Sequence, residues 1–471
     1  MIYQVPQHID KDKIFIVKKS EIEGRLEPNF YRPSIATLEK KIRSLSSKRL
    51  RSYAQSFAGG ATPSKREFEK YYSDIQTGIP FLRVQNLQTN GELSLNECIY
   101  INEETHNGLL KRSQVSGGDL LVKITGVGRM AIASVAPKDF VGNTNQHMVV
   151  IKTRNSAVSK YLAHYLNLDI IEKIASRHST GGTRPALDYP SLKNIPIIEG
   201  LDFSIIDNAI KAKKAKEVEA QQLLDSIDGY LLKELGITIP SVDDGLKNRI
   251  FLSSFSKIEG NRIDPKYNKQ IRYFQESYDS DTWKTLSSVS IVKGQYGANE
   301  AAIAYQEGDT RYIRITDIDE IGNLKEHDKK TTQYIDDTYL LHNEDILFAR
   351  SGSVGKCYLH RDVNPSIFAG YLIRFVLNKN VILPEFLFYY CNSSIYWYWV
   401  DTIHRPAVQA NINAEEYCKM PIPVPSINKQ QEIVNYIADI RTRAKALQAE
   451  GKAILEDAKR KVEEMIIGKK I

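Results

Sequence analysis

Apolar and polar positions along the 471-residue chain follow two periods, and the order of those periods occurs twice. "FLRVQNL" from Phe81 and "YIRITDI" from Tyr312 alternate apolar and polar residues, the period of a half-buried strand. "DLLVKI" from Asp119 and "DILFAR" from Asp345 are short apolar runs ending at glycine-bearing turns, the pattern of buried strands. The period then lengthens. Between 202 and 235 there is no proline, and Ala220, Leu224, Ile227 and Leu231 keep helical spacing. From Gln430 onward, Ile437, Ile440, Ala444, Leu447, Gly451, Ile454 and Ala458 alternate steps of three and four, the seam of a coiled coil. Two such seams predict two long helices that pair with each other; the plainer alternative is two isolated amphipathic helices, each lying on its own domain.

The letters repeat as well as the periods. "GDLLVKITGVGRMAIA" from Gly118 answers "EDILFARSGSVGKCYL" from Glu344. "FIVKKSEIEGRLEP" from Phe15 answers "FLSSFSKIEGNRIDP" from Phe251. Arg83, Gly91 and Leu93 align with Arg314, Gly322 and Leu324. "KYLAHYLN" from Lys160 meets "EFLFYYCN" from Glu385, "RPAL" at Arg184 meets "RPAV" at Arg405, and "IPI" at Ile195 meets "MPI" at Met420. Chance gives one such match; the same order throughout makes a duplication, with units over roughly 15–236 and 251–471. The expected organisation is a mixed α/β domain over 1–200, a helix over 201–240, a second similar domain over 241–425 and a helix over 426–471.

Composition narrows the class. Hydrophobic residues make up 42% and charged residues 26%, ordinary for a globular chain, and the length calls for more than one core. No run of apolar residues is long enough to span a membrane, and "MIYQVPQHIDKDK" lacks an apolar signal core, so the expectation is a cytoplasmic protein without a membrane segment. Cys98, Cys357, Cys391 and Cys418 form no CxxC pair and the histidines form no HExxH, which argues against structural zinc and a disulfide framework. The net charge of +7, from 64 basic against 57 acidic residues, permits nucleic acid without requiring it.

Catalytic motifs are scarce. The acceptor loop of an amino-methyltransferase has its nearest text in "NPSIF" at Asn364, which lacks the second proline and reads as a surface turn. No Glu-x-Lys set follows Asp119 or Asp345 as a metal-dependent nuclease needs. "GSVGKC" at Gly352 is too short for a nucleotide phosphate loop, though its N–H groups and Lys356 suit a weaker anion cradle. Both glycine turns therefore read better as contacts to a polyanion. Lys123, Thr125, Gly126 and Arg129 supply the first, and Arg350, Ser351, Ser353 and Lys356 the second. The plainer alternative is a tight turn with a solvated Arg129 or Lys356. "STGGTRPAL" offers Thr180 and Arg184, and "IHRPAVQANIN" offers Arg405, Gln409 and Asn411, side-chain types that bond base edges. His147 and His164 sit among apolar residues and read as core histidines. "YWYW" at Tyr396 offers rings for stacking on bases but reads better as a helix anchored in a core.

On these blocks, with "AGGATPSKREFE" from Ala58, "TGGTRPAL…LKNIPI" and "MPIPVPSINKQQEIVNYI" from Met420, the chain resembles the DNA-specificity (S) subunit of type I restriction-modification systems over essentially its whole length. The first copy departs in "IPIIEGLDFSIID", which lacks the glutamine pair and second proline of the family's exit into the helix. The resemblance implies two α/β target-recognition domains separated by two long antiparallel coiled-coil helices, with an internal pseudo-two-fold repeat. It implies a non-catalytic subunit that binds no cofactor itself. Two methyltransferase (M) subunits would use S-adenosylmethionine, and two restriction (R) subunits ATP and magnesium. Each domain would read one half of an asymmetric bipartite site in double-stranded DNA.

If the halves read different sequences, residues shared by both cannot carry the difference. Arg83/Arg314 and Arg184/Arg405 are shared and go to phosphate or scaffold. Lys123/Ala349, Ile124/Arg350, Gln85/Thr316 and Asn86/Asp317 differ and go to base readout. Alternatives are a specificity subunit of a type II enzyme, a diverged DNA-modifying enzyme, and a coiled-coil adaptor that binds only protein.

Overall fold

A computed structural model describes residues 5–6, 8–46, 48–239, 252, 254, 263–277, 281–403 and 411–468. Most of the "FLSSFSKIEGNRIDP" block, and the candidates Arg405 and Gln409, lie outside the described residues. The chain divides into two compact units, Met1–Glu217 with Leu447–Ile471, and Val218–Ala446.

The first unit runs through α1 (Pro33–Leu45), β1 (Lys48–Arg49), β2 (Ala54–Gly59), β3 (Ile79–Leu82), β4 (Leu120–Lys123), β5 (Ala133–Val135), β6 (Val141–Thr144), β7 (Met148–Thr153), α2 (Ser156–Leu166), α3 (Asp169–Arg177), α4 (Tyr189–Lys193), β8 (Pro196–Ile197) and the start of α5 (Ser204–Glu234). Its central antiparallel sheet has the order β2-β7-β4-β5. The second unit repeats this with α6 (Pro265–Ser277), β9 (Trp283–Thr285), β10 (Ser290–Tyr296), β11 (Arg311–Ile313), β12 (Ile346–Ala349), β13 (Cys357–Leu359), β14 (Ser366–Phe368), β15 (Leu372–Leu377), α7 (Pro384–Tyr390), α8 (Ser394–Ile403), α9 (Ala414–Cys418), β16 (Pro421–Pro423) and the start of α10 (Ile427–Ile467). Its central sheet has the order β10-β15-β12-β13, the same path through the fold. Parallel pairs β3–β6 and β11–β14, and short antiparallel pairs β1–β8 and β9–β16, also correspond.

The apolar runs behave as their pattern predicts: every residue of β4 and of β12 is buried. The alternating runs do not continue as strands. β3 ends at Leu82, and Val84–Asn86 forms a 3-10 turn because the Asn86 carboxamide oxygen accepts the Arg83 N–H at 2.8 Å. Asp317 does the same for Arg314 N–H at 2.8 Å. A short side chain bonded to nearby backbone replaces the ladder. Glycine lets backbones cross closely at an equivalent place in each unit: a Cβ on Gly60 would lie 1.9 Å from the Thr144 oxygen, and one on Gly297 2.3 Å from that of Phe368.

The two long helices pair antiparallel within each unit. In the first, Lys216 meets Glu450 at 3.1 Å and Gly451 packs against Lys213. In the second, Lys429 pairs with Glu234, and the Tyr230 and Tyr436 rings stack 3.8 Å apart. The α10 seam buries Ile437, Ile440, Ala444, Gly451 and Ala458; Leu447 and Ile454 are half-buried, and Leu455 is buried beside the expected line. A helix of 3.6 residues per turn drifts off a strict 3.5 repeat, so a position beside the line is buried as well.

Candidate nucleic-acid interface

Three segments meet at the end of β4. Ile124 N–H donates to the His147 carbonyl at 2.9 Å, and Leu187 N–H donates to the Ile124 carbonyl at 2.8 Å. Thr125 bridges Ala186, and Gly126 N–H reaches the Pro185 carbonyl at 3.0 Å. The glycine turn, the residues before β7 and the incoming "TGGTRPAL" segment are thus tied together. The second unit builds the same junction after β12. Arg350 N–H donates to the Tyr371 carbonyl at 3.0 Å, Ile412 N–H donates to the Arg350 carbonyl at 2.9 Å, and Ser351 bridges Asn411.

These bonds set a register that the letters miss. Leu187 and Ile412 are equivalent; both are buried and both precede a side-chain helix cap, Asp188 or Asn413. They stand 225 positions apart, whereas the two "RPA" blocks stand 221 apart, so matching Arg184 with Arg405 is displaced by four residues.

The tips of the turns project. Gly128, with φ +81°, and Gly352, with φ +69°, have nothing within 4 Å of a would-be Cβ, so left-handed backbone and not crowding calls for glycine there. Thr125, Gly126 and Ser351 are half-buried, while Thr180, Arg184, Ser353 and Asn411 are exposed. Arg350 is half-buried, its guanidinium carbon over the Tyr296 ring at 4.9 Å from the centroid, a cation–π contact. Gln85 and Thr316 stand exposed on the turns that follow β3 and β11.

Several expected contacts are spent inside the protein. Asn86, fully buried, donates its amide to the Ser94 carbonyl at 2.8 Å, and Asp317 is buried against Arg314; neither has an edge to offer a base. Lys123 is 3% exposed and donates from beneath the turn to the Val127 carbonyl at 2.8 Å; burial lowers its pKa from the ordinary lysine value. Lys356 is buried between Glu320, at 2.7 Å, and the Ile318 carbonyl. Arg129 pairs with Asp169 and donates to the Asn167 carbonyl at 2.6 Å, anchoring the turn to α3. Lys356 is therefore structural, and Arg129, half-buried, is engaged by Asp169 and the Asn167 carbonyl. Arg83 donates to the Glu97 carbonyl at 2.7 Å, and Arg314 is held by Asp317, which fits the scaffold side of their assignment.

The junction also presents two residues that the sequence pattern did not single out as contacts. His147 is not a core histidine. It is half-buried, and burial together with the nearby Arg184 charge holds its imidazole below the ordinary pKa. Tyr371, its equivalent, is 62% exposed. The available signal was an aromatic residue immediately before each buried run, "QHMVV" and "GYLIRF". His164 is a core histidine, bonded to Asp207 at 2.9 Å, and Tyr396 and Trp399 are buried as the "YWYW" pattern predicts. "NPSIF" turns at exposed Asn364, but Ser366–Phe368 enter β14 and are buried.

The family model for the type I restriction modification DNA specificity domain matches residues 46–198 and 282–456. The type I restriction enzyme EcoBI specificity subunit of Escherichia coli is 25% identical over 176 residues, 36% of this chain and 37% of that protein. The match thus spans a little over a third of that relative's length. Three solved structures align over most of this chain: one from a study of complex assembly and conformational transition in the type I R-M system, the S subunit from M. genitalium, and the HsdS subunit from Thermoanaerobacter tengcongensis. Their identities are 14%, 12% and 13%, with TM-scores of 0.39, 0.35 and 0.34. The alignments cover 89%, 88% and 90% of this chain and 95%, 95% and 96% of theirs.

Proposed function

The chain belongs to the type I restriction-modification DNA specificity family, and from that premise we propose that it reads an asymmetric, bipartite site in double-stranded DNA with one unit per half-site. The observation that carries this reading is the junction built twice on the same backbone hydrogen bonds but fitted with different exposed side chains. Base recognition needs donors and acceptors held on a rigid frame, and specificity needs them to differ where the sequence read differs. Arg184 in one unit, and Arg350 with Asn411 in the other, meet that requirement.

In this reading the chain is a non-catalytic, cytoplasmic subunit that directs two methyltransferase and two restriction subunits to the site. S-adenosylmethionine, ATP and magnesium serve those partners. Among the described residues no helix is long and apolar enough to cross a membrane. The test is to co-express the chain with its methyltransferase subunit and map methylated positions in the host genome. A two-part motif with an unread gap is expected, and no methyl transfer by the purified chain alone. Turnover by the lone chain, or one uninterrupted motif, would overturn the reading.

A further inference from the structure

We infer that His147 and Tyr371 are an equivalent pair of specificity-determining residues, one for each half-site; the inference rests on the DNA-recognition reading above. Three observations carry it. First, the two positions are the same place in the duplicated fold: each carbonyl accepts the N–H of the residue that leaves the buried strand, Ile124 or Arg350, at 2.9 and 3.0 Å. Second, the backbone there is fixed while the side chain is free to project. Met148 and Leu372, which follow directly, are fully buried, yet His147 is half-exposed and Tyr371 is 62% exposed. A large aromatic held at a rigid strand end, in a junction whose glycine turn has one open tip, is suited to a base, through its ring face or its polar tip.

Third, each aromatic has an arginine as company, and the arginines come from different segments. Arg184 arrives on the incoming segment, next to Pro185, whose carbonyl accepts the Gly126 N–H of the glycine turn at 3.0 Å. Arg350 sits on the strand end itself, bonded through its N–H to Tyr371 and braced by Tyr296. One frame thus carries two different donor and aromatic sets. A frame that positions DNA identically while presenting different chemistry produces two half-sites of different sequence. Arg184, exposed on the segment tied to this junction, thus falls on the readout side.

The test uses the full chain co-expressed with its methyltransferase subunit, carrying Tyr371→Ala, Tyr371→Phe, His147→Ala or His147→Gln, with genome-wide mapping of methylated sites. DNA competition binding by each purified complex accompanies the mapping. Tyr371→Ala should relax one base position in one half-site, with discrimination there falling about tenfold or more. His147→Ala should do so in the other half-site. Each should leave the opposite half-site as it was, and Tyr371→Phe should separate the hydroxyl from the ring. An unchanged motif in both alanine variants overturns the inference while leaving the DNA-recognition reading intact. A uniform loss of affinity for all sequences also overturns it, since that is the signature of phosphate contacts. Failure of the unaltered complex to modify any bipartite site instead sinks the underlying reading.

Discussion

Asp317 holds Arg314 in a two-pronged ion pair: Nε donates to Oδ2 at 3.1 Å and Nη2 to Oδ1 at 2.7 Å. In the first unit Asn86 keeps the backbone cap on Arg83 without the ion pair, and the Arg83 guanidinium donates to the Glu97 carbonyl, as Arg314 does to that of Asp328 at 3.4 Å. The duplication thus supplies its own control. Asp317→Asn should reproduce the first unit's arrangement and cost about 1 kcal/mol, whereas Asp317→Ala also loses the cap and should cost about 2–3 kcal/mol. Hydrogen exchange in the second unit reads the difference. The methylated motif should not change in either variant, and a changed base preference would return Asp317 to the recognition surface.

Arg350→Ala should lose about 1–3 kcal/mol of discrimination at one base position of one half-site. Arg350→Lys should not restore it, because a planar guanidinium on the Tyr296 ring is not reproduced by an ammonium. Competition binding with single-base substitutions checks both, and full rescue by lysine would reduce Arg350 to a point charge.

Lys123→Met removes the ammonium that donates to the Val127 carbonyl beneath the first glycine turn. The turn should loosen, seen as faster exchange of its amides. The salt dependence of DNA binding should keep its slope, since a lost phosphate contact lowers that slope by about one. A reduced slope would show Lys123 to be a phosphate ligand after all.

Glu39 on α1 is buried beside His178, at 2.9 Å, Arg43, at 2.6 Å, and Arg177. Burial alone would raise its pKa, but these partners outweigh it and hold the carboxyl down, from 4.5 to about 2. A pKa lowered on folding stabilises the protein above the unfolded value. That stability, about 3 kcal/mol or slightly more, should vanish as the pH falls from 4.5 towards 2. Glu39→Gln should therefore be less stable than the unaltered chain at pH 7, with the gap closing on acidification. Thermal unfolding across that range measures it, and a gap independent of pH would rule out the carboxylate as its source.

Gly451 lets α10 approach α5, since a Cβ there would lie 3.3 Å from Cα, Cγ and the carbonyl oxygen of Lys213. Gly451→Ala should be close to neutral, the gain in helix propensity of about 1 kcal/mol offsetting the crowding. Gly451→Leu should destabilise the first unit by about 1–3 kcal/mol. Urea unfolding compares them, and a stable leucine variant would mean the helices do not need the close approach.

The amino-acid order alone determined the duplication, the buried strands β4 and β12 and the seams of α5 and α10, because each is a matter of local period: apolar residues must recur wherever one face is buried. It also placed both glycine turns and the segments beside them. What it left undecided is which polar side chains face outward. Lys123 and Lys356 look like free cations in the string and are buried, bonded to a carbonyl beneath one turn and to Glu320 and a carbonyl beneath the other. Asn86 and Asp317 look like varied contact positions and are the caps that fold their own turns. His147 and Tyr371 look like members of apolar runs and stand at the rim. The register of Leu187 with Ile412, against the pull of the repeated "RPA", was decided by backbone hydrogen bonds between segments far apart in the chain. A side chain's partner at such distance is set by the packing of the whole unit, and no local pattern records it.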